Sequence, residues 1–383
     1  MVTTISPTQL RARMAVMAGQ MPDVIVMGAG DPDFDTPTHI VEAAQAAIRD
    51  GRANRVLPAA GLPELREAIA YKLRAENGLP VERDNILVTT GGQEGVFLIW
   101  QALLDPGDEV ILPDPCYPTY DECIERAGGR CVFVATDHDD AFNLRPERVE
   151  AAITPKTKAI LIVTPGNPTS GIVTEDRLRA IAAIAIRHNL IVISDELYEQ
   201  YVYAPWQHFS IGSLPGMAER TITLCGFSKS YIMTGFRVGY LAAPRNFIDA
   251  LIPVKALASG AVAAVSQYAA LAAMTGSQAP TAEFKRQFTE RRAVMVEGLH
   301  ALGVGLSEPR GAYYLWFDPS PLGFYAPDLA YKLLEEAHVL VYPSTGFGAN
   351  WLGYLRMSLL QPVPVLREVL ARMQPVIDKH RKL

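Results

Sequence analysis

Near-continuous apolar runs recur through the middle of the chain, at residues 86–89, 109–112, 159–163, 190–194, 221–224 and 238–243. Helical stretches and turn signals separate them. Residues 93–104 read as helix, Asp105-Pro106-Gly107-Asp108 as a turn, and Thr174 as an N-cap with Glu175 and Asp176 in the first turn behind it. A strand that is apolar along its length has no face to offer water, so it belongs in a sheet covered on both sides. Strand and helix in alternation are the logic of parallel βαβ units. The expected fold is therefore α/β, a doubly wound and mostly parallel sheet. After a long helical stretch at 282–302 the texture changes to strand-like 313–317, helical 327–337 and strand-like 354–358. These predict a smaller α+β domain that also draws on the N-terminal segment. The expected division is 1–40 for the N-terminal arm, 41–290 for the large domain and 291–383 for the small one.

Composition excludes several classes of function. With 383 residues, 49% hydrophobic and 20% charged, the chain can bury a large core. Its net charge is −6 and its longest basic cluster is the terminal Lys379, Arg381 and Lys382, so no nucleic-acid partner is expected. Residues 1–20 contain no apolar core segment. Residues 256–282 are uncharged but carry Ser259, Gly260, Ser266, Gln267 and Tyr268, too polar for a bilayer span. No membrane partner is expected, the location is read as cytoplasmic, and 256–282 reads as a buried helix at a domain or subunit contact. Four cysteines without a C-x-x-C pair and seven histidines without clustered spacing predict reduced thiols and no metal site.

The polar residues of interest all follow the apolar runs, where doubly wound sheets hold their ligands. Lys229 and Arg237 stand in a Ser/Gly-rich turn after 221–224. A lysine just past a buried strand loses its proton more readily than one in water, and the neutral amine attacks aldehydes. Arg237 offers a planar fork to an oxyanion. Thr89-Thr90-Gly91-Gly92-Gln93-Glu94-Gly95 opens a helix whose first N–H groups can face a phosphate. Asp114-Pro115-Cys116-Tyr117-Pro118 is a stiff mount for an aromatic ring, and residues 164–171 hold the amide of Asn167 between prolines and glycines. Ser194-Asp195-Glu196-Leu197-Tyr198 sets a carboxylate and a phenol at a strand end, where desolvation of the carboxylate calls for a cationic partner. Taken singly, each segment reads equally as an ordinary turn, a surface charge or a buried tyrosine.

Taken together, they are the parts needed to hold pyridoxal 5'-phosphate. Their order and spacing resemble the fold type I pyridoxal-phosphate enzymes, specifically the class I and II aminotransferases of the aspartate aminotransferase family. The match runs from Gly28-Ala29-Gly30-Asp31-Pro32-Asp33-Phe34 to Tyr354-Leu355-Arg356-Met357-Ser358. The resemblance implies a homodimeric transaminase with its active sites near the interface, moving an amino group from an L-amino acid to a 2-oxo acid. It implies that Lys229 forms the aldimine and shuttles a proton, and that Asp195 keeps the pyridine nitrogen protonated. Asn167 and Tyr198 would hydrogen-bond the ring's phenolic oxygen, and Tyr117 would stack on the ring. Gly92, Gln93, Ser228 and Arg237 would receive the phosphate. Arg356 would clamp the substrate α-carboxylate, with Gly30 and Asn167 beside it. Two positions depart from the family pattern: Val56 stands where a cross-subunit tyrosine is common, and Gly226 where some relatives have a phosphate-binding serine. A β-lyase, or other carbanion chemistry at Cα on the same cofactor, is the alternative activity.

Overall fold

The computed structural model describes residues 7–28, 30–344 and 346–381. The N-terminal helix Pro7–Ala18 leads into β1 (Ile25–Val26). Seven strands then form the central sheet: β2 (Ile86–Thr89), β3 (Glu109–Asp114), β4 (Arg130–Ala135), β5 (Thr157–Val163), β6 (Ile191–Asp195), β7 (Thr221–Gly226) and β8 (Gly239–Ala242). Their order is β2-β8-β7-β6-β5-β3-β4. Neighbours are parallel except where β8 pairs with β2 and β7. Six strands therefore end at one edge of the sheet, and β8 begins there.

Burial follows from the apolar runs. β2 and β8 are buried at every position, although β2 is an edge strand, whereas β4, the edge strand at the other side, is half open with Phe133 exposed. Neither β4 nor the reversal of β8 is among the expectations from sequence. A strand buried on both faces carries the same residues whichever way it runs, so composition is silent on direction. Residues 256–282 are not one helix. Helix Arg245–Ala258 stops at Ser259, Gly260 follows in the left-handed region, and a separate helix, Ala264–Thr275, packs on helices Thr38–Arg49 and Pro63–Asn77. Thr174 does stand at an N-cap, but its hydroxyl makes no cap and accepts instead from Asn143 at 3.0 Å.

The C-terminal part adds β9 (Gly305–Leu306), β10 (Tyr314–Asp318), β11 (Val339–Leu340), β12 (Tyr342–Pro343) and β13 (Leu355–Ser358). An antiparallel sheet runs β12-β13-β10-β9, while β11 pairs in parallel with β1. Met14 and Met27 of the N-terminal segment share one apolar cluster with residues of helices Ala279–Leu302, Ala326–Ala337 and Val363–His380. The N-terminal segment is thus packed into the C-terminal unit. No helix among the described residues is long and apolar enough to cross a membrane.

One glycine fixes how closely β8 approaches the helix that follows β2. A Cβ on Gly239 would stand 2.9 Å from the carbonyl carbon of Gly91 and 3.0 Å from the nitrogen of Gly92, both backbone atoms with little freedom to yield. Gly239→Ala is expected to cost about 1–3 kcal/mol of stability, as overpacking does. Urea unfolding of the two proteins measures it, and an unchanged midpoint would show that this edge relaxes freely.

Candidate active site

A cavity of about 750 Å³ opens at the edge where the six strands end. Gly30, Gly92, Gln93, Tyr117, Asn167, Asp195, Tyr198, Ser228, Lys229, Arg237 and Arg356 all line it. Most of them arrive on the segments that leave the central sheet at this edge. β2 delivers the turn at Gly91, β3 the mount of Tyr117, β5 Asn167, β6 Asp195 and Tyr198, and β7 the short helix Phe227–Ser230 with Lys229. Because β8 is reversed, Arg237 reaches the same edge from the loop ahead of that strand, in a left-handed conformation at φ 52°. Val56 lies elsewhere, 91% exposed.

The charged groups are held by neutral partners. Lys229 donates from Nζ to the Gly30 carbonyl at 3.1 Å, and its own carbonyl accepts from the Tyr201 hydroxyl at 2.9 Å. Arg356 lies over the rings of Tyr314 (4.7 Å) and Phe347 (5.1 Å), and donates to Gly28 O and Asn167 Oδ1, each at 3.2 Å. Its Nε is buried without a partner among the described residues. Asp195 accepts a short hydrogen bond from the Tyr120 hydroxyl and one of 3.0 Å from the Leu197 N–H. Burial pushes its carboxyl up to about 6, against the pull of those two donors, with the neighbouring Glu196 adding to the rise. The cationic partner that desolvation seemed to require is absent among the described residues. A phenol and an amide meet the charge instead.

At the Arg237 end of the cavity, Gly91 packs against Arg237 so closely that a Cβ on it would stand 2.6 Å from Nη2. The first N–H groups of helix Gly91–Leu103 have no partner within the helix. The N–H of Thr90 is directed to Glu94 at 2.5 Å, and Glu94 is in turn held by buried Lys255 (2.8 and 3.1 Å) and by Ser259. Gly226 faces Leu197, whose Cδ2 would lie 2.9 Å from an added Cβ. Leu197 therefore occupies the space that a side chain at 226 would need. Behind the site, Glu196, Glu199 and His208 bring ligand-type atoms within 4.8 Å of one another. These carboxylates are already engaged, Glu199 by Lys72 and Asn77 and Glu196 by Ser194, Ser210 and His208.

Comparison with known proteins decides the family. The model of the family described as aminotransferase class I and II matches residues 22–372. The chain belongs to that family. Its relatives include an aspartate/prephenate aminotransferase of Thermus thermophilus, 40% identical over 97% of this chain and 95% of the relative. An aromatic-amino-acid aminotransferase of Thermococcus litoralis is 35% identical over 99% and 97% of the two chains. Among solved structures, an aspartate aminotransferase mutant of Thermus thermophilus superposes with a TM-score of 0.92 at 38% identity, covering 98% of this chain and 97% of that one.

This aminotransferase carries site residues that the motifs did not reveal. Tyr120, on helix Thr119–Arg126, lines the cavity beside Tyr117, which precedes that helix. Tyr314 meets the Tyr198 hydroxyl at 2.8 Å and underlies Arg356, but it belongs to β10, far away in sequence, and no local pattern announces it. Burial drives the hydroxyls of Tyr120 and Tyr198 well above the usual tyrosine range, so both stay protonated donors.

The raised carboxyl of Asp195 has a consequence for stability. Between its ordinary value of 3.8 and about 6, the folded aminotransferase keeps a proton that the unfolded chain has released. The group's contribution is therefore most favourable below the lower value and is lost as pH rises through the upper one. Above that, the buried carboxylate costs about 3 kcal/mol. Asp195→Asn in the cofactor-free protein is expected to gain stability relative to wild type between about pH 4 and about pH 8. Urea unfolding at both values tests this; a stability difference independent of pH would contradict it.

Proposed function

We propose that the cavity holds pyridoxal 5'-phosphate and that this chain transfers an amino group from an L-amino acid to a 2-oxo acid there. What carries the reading is a lysine amine, a buried carboxylate and an arginine fork, none paired to another, on one cavity at the strand ends. The residues fit such a group. Arg356 Nε is buried and unpartnered, Gly91 leaves a side-chain-free approach to Arg237, and the helix start supplies N–H donors.

Bound there, the cofactor supplies an electron sink for the charge left when an amino acid's Cα–H bond breaks. The chain supplies the rest. Lys229 would be the covalent anchor, and its Nζ would carry the proton between the substrate Cα and the cofactor C4′. Asp195 holds a proton at the ring nitrogen through charge, while Tyr120 and the Leu197 N–H hold Asp195. Asn167 and Tyr198 bind the ring's phenolic oxygen, and Tyr117 covers its face. Gly92, Gln93, Ser228 and Arg237 receive the phosphate. Arg356, with Asn167 and Gly30 beside it, orients the substrate carboxylate so that Cα–H faces Lys229.

Around this centre we propose a large cofactor domain at 41–290 and a small domain from 1–40 with 291–383. A homodimer, as the resemblance to the aspartate aminotransferase family implies, is part of this proposal. A cytoplasmic location is supported by four free cysteines, three of them buried. The names of the relatives put aspartate and aromatic amino acids first as donors.

Lys229→Ala is expected to remove the borohydride-reducible cofactor link and nearly all turnover. A peptide map that finds the link on Lys255 or another lysine overturns the assignment. Arg356→Lys keeps the charge and loses the fork, so kcat/KM is expected to fall by about 1.5–3 kcal/mol for every donor alike, on the order of ten- to a hundredfold. A loss confined to dicarboxylic donors would make it a side-chain residue instead. Mixing holoenzyme with aspartate or an aromatic amino acid, without oxo acid, should convert the cofactor stoichiometrically to its amine form. Release of ammonia and an oxo acid from a donor with a β leaving group would instead support the lyase.

A further inference from the structure

The segment from Gly28 to Phe34 enters the cavity at Gly30, yet Asp33 and Phe34 have no part in the chemistry above. Both meet Arg291 of helix Ala279–Leu302, which is 3% exposed. Arg291 and Asp33 are joined fork to fork, Nη1 to Oδ1 at 2.6 Å and Nη2 to Oδ2 at 2.8 Å. The guanidinium also lies 4.6 Å from the Phe34 ring, and Nη1 donates to Leu359 O at 3.0 Å. Leu359 directly follows β13, the strand of Arg356. One side chain thus ties the segment to the strand that carries the proposed carboxylate clamp.

The tie matters because the segment's carbonyls face the working cations. Met27 O accepts from the Ser358 N–H at 2.7 Å and from its hydroxyl at 2.9 Å. Gly28 O accepts from Arg356, and Gly30 O accepts from Lys229 and, at 3.3 Å, from the Tyr313 hydroxyl. Where this backbone sits therefore sets how the Arg356 fork points and how much room lies between it and Lys229. Stability alone is a poor reason for this pair, since Asp33 stays partly exposed and such pairs contribute little, whereas its two-pronged geometry fixes a register.

We propose that Arg291, acting through Asp33 and Leu359, is a positioning residue for recognition of the substrate carboxylate. This rests on Arg356 being the clamp. Arg291 touches neither substrate nor cofactor and works by holding the carbonyl-bearing segment and the clamp strand in one register.

The test uses holoenzyme of Asp33→Asn, Arg291→Lys and Arg356→Lys. Calorimetry gives the Kd of maleate and of 3-phenylpropanoate, carboxylates that cannot react, and steady-state assays give KM and kcat for the best donor. Cofactor Kd and Tm are measured alongside. Asp33→Asn and Arg291→Lys are expected to weaken carboxylate binding and raise KM by about tenfold or more, as small misplacements do, with cofactor Kd unchanged. Combined with Arg356→Lys they should act less than additively. A lower Tm with carboxylate Kd and KM unchanged overturns the proposal, because the pair is then merely structural. If Arg291→Lys does not fold, Asp33→Asn, at a partly exposed position, decides the matter. If Arg356→Lys itself leaves carboxylate binding intact, the clamp assignment fails rather than the register argument alone.

Discussion

The shared direction of six strands is the constraint from which the site follows. A parallel strand must be reached by a crossover, so every loop that leaves β2, β3, β5, β6 and β7 opens on the same edge. β8 is the exception that completes the set. Running backwards, it brings the loop ahead of it, with Arg237, to the edge where its neighbours end. Side chains from distant parts of the chain meet because the backbone leaves them no other place to go. The second unit then closes the cavity from one side with β13, whose alternation buries Leu355 and Met357 in its core and turns Arg356 to the opposite face.

Charge is handled in two distinct ways. Away from the cavity, buried cations are paired with carboxylates: Lys255 with Glu94, Lys72 with Glu199, Arg291 with Asp33. On the cavity wall, Asp195 meets a phenol and an amide, Arg356 meets carbonyls and ring faces, and Lys229 meets a carbonyl. Neutral partners orient a charge without neutralising it, so its field remains for a ligand. The free energy of carrying these charges unpaired is the kind of local expense that binding a charged group offsets.

Much of this was legible in the residues themselves. Continuous apolar runs identified the sheet, and the polar segments following them identified its ligand edge, because burial on both faces leaves functional groups only at strand ends. Tyr120, Tyr314 and Phe347 were not legible, for different reasons. Tyr120 stands in the helix just past the stiff mount of Tyr117, and nothing local separates it from an ordinary buried core tyrosine. Tyr314 reaches the cavity through pairing of the second sheet and Phe347 on the loop between β12 and β13, both long-range placements without a local signature. The reversal of β8 and the break at Ser259-Gly260 belong to the same class, since a uniformly apolar strand or an Ala-rich stretch fits more than one topology.

One departure from the family pattern, Gly226, is tied to its neighbours at the Arg237 end of the cavity. Gly226 cannot take a side chain without displacing Leu197, and Leu197 also lies 3.0 Å from where a Cβ on Gly92 would be. One leucine therefore occupies the space beside both glycines and keeps hydroxyl groups out of it. A phosphate here would depend on backbone N–H groups, Ser228 and Arg237. Such a seat is sensitive to nearby negative charge, and Glu94 stands in the first turn of the same helix. Lys255, fully buried, and Ser259 hold that carboxylate against the Thr90 N–H and neutralise it. The glutamate can then stabilise the helix start, as a negative charge does there, without repelling an anion bound at its tip.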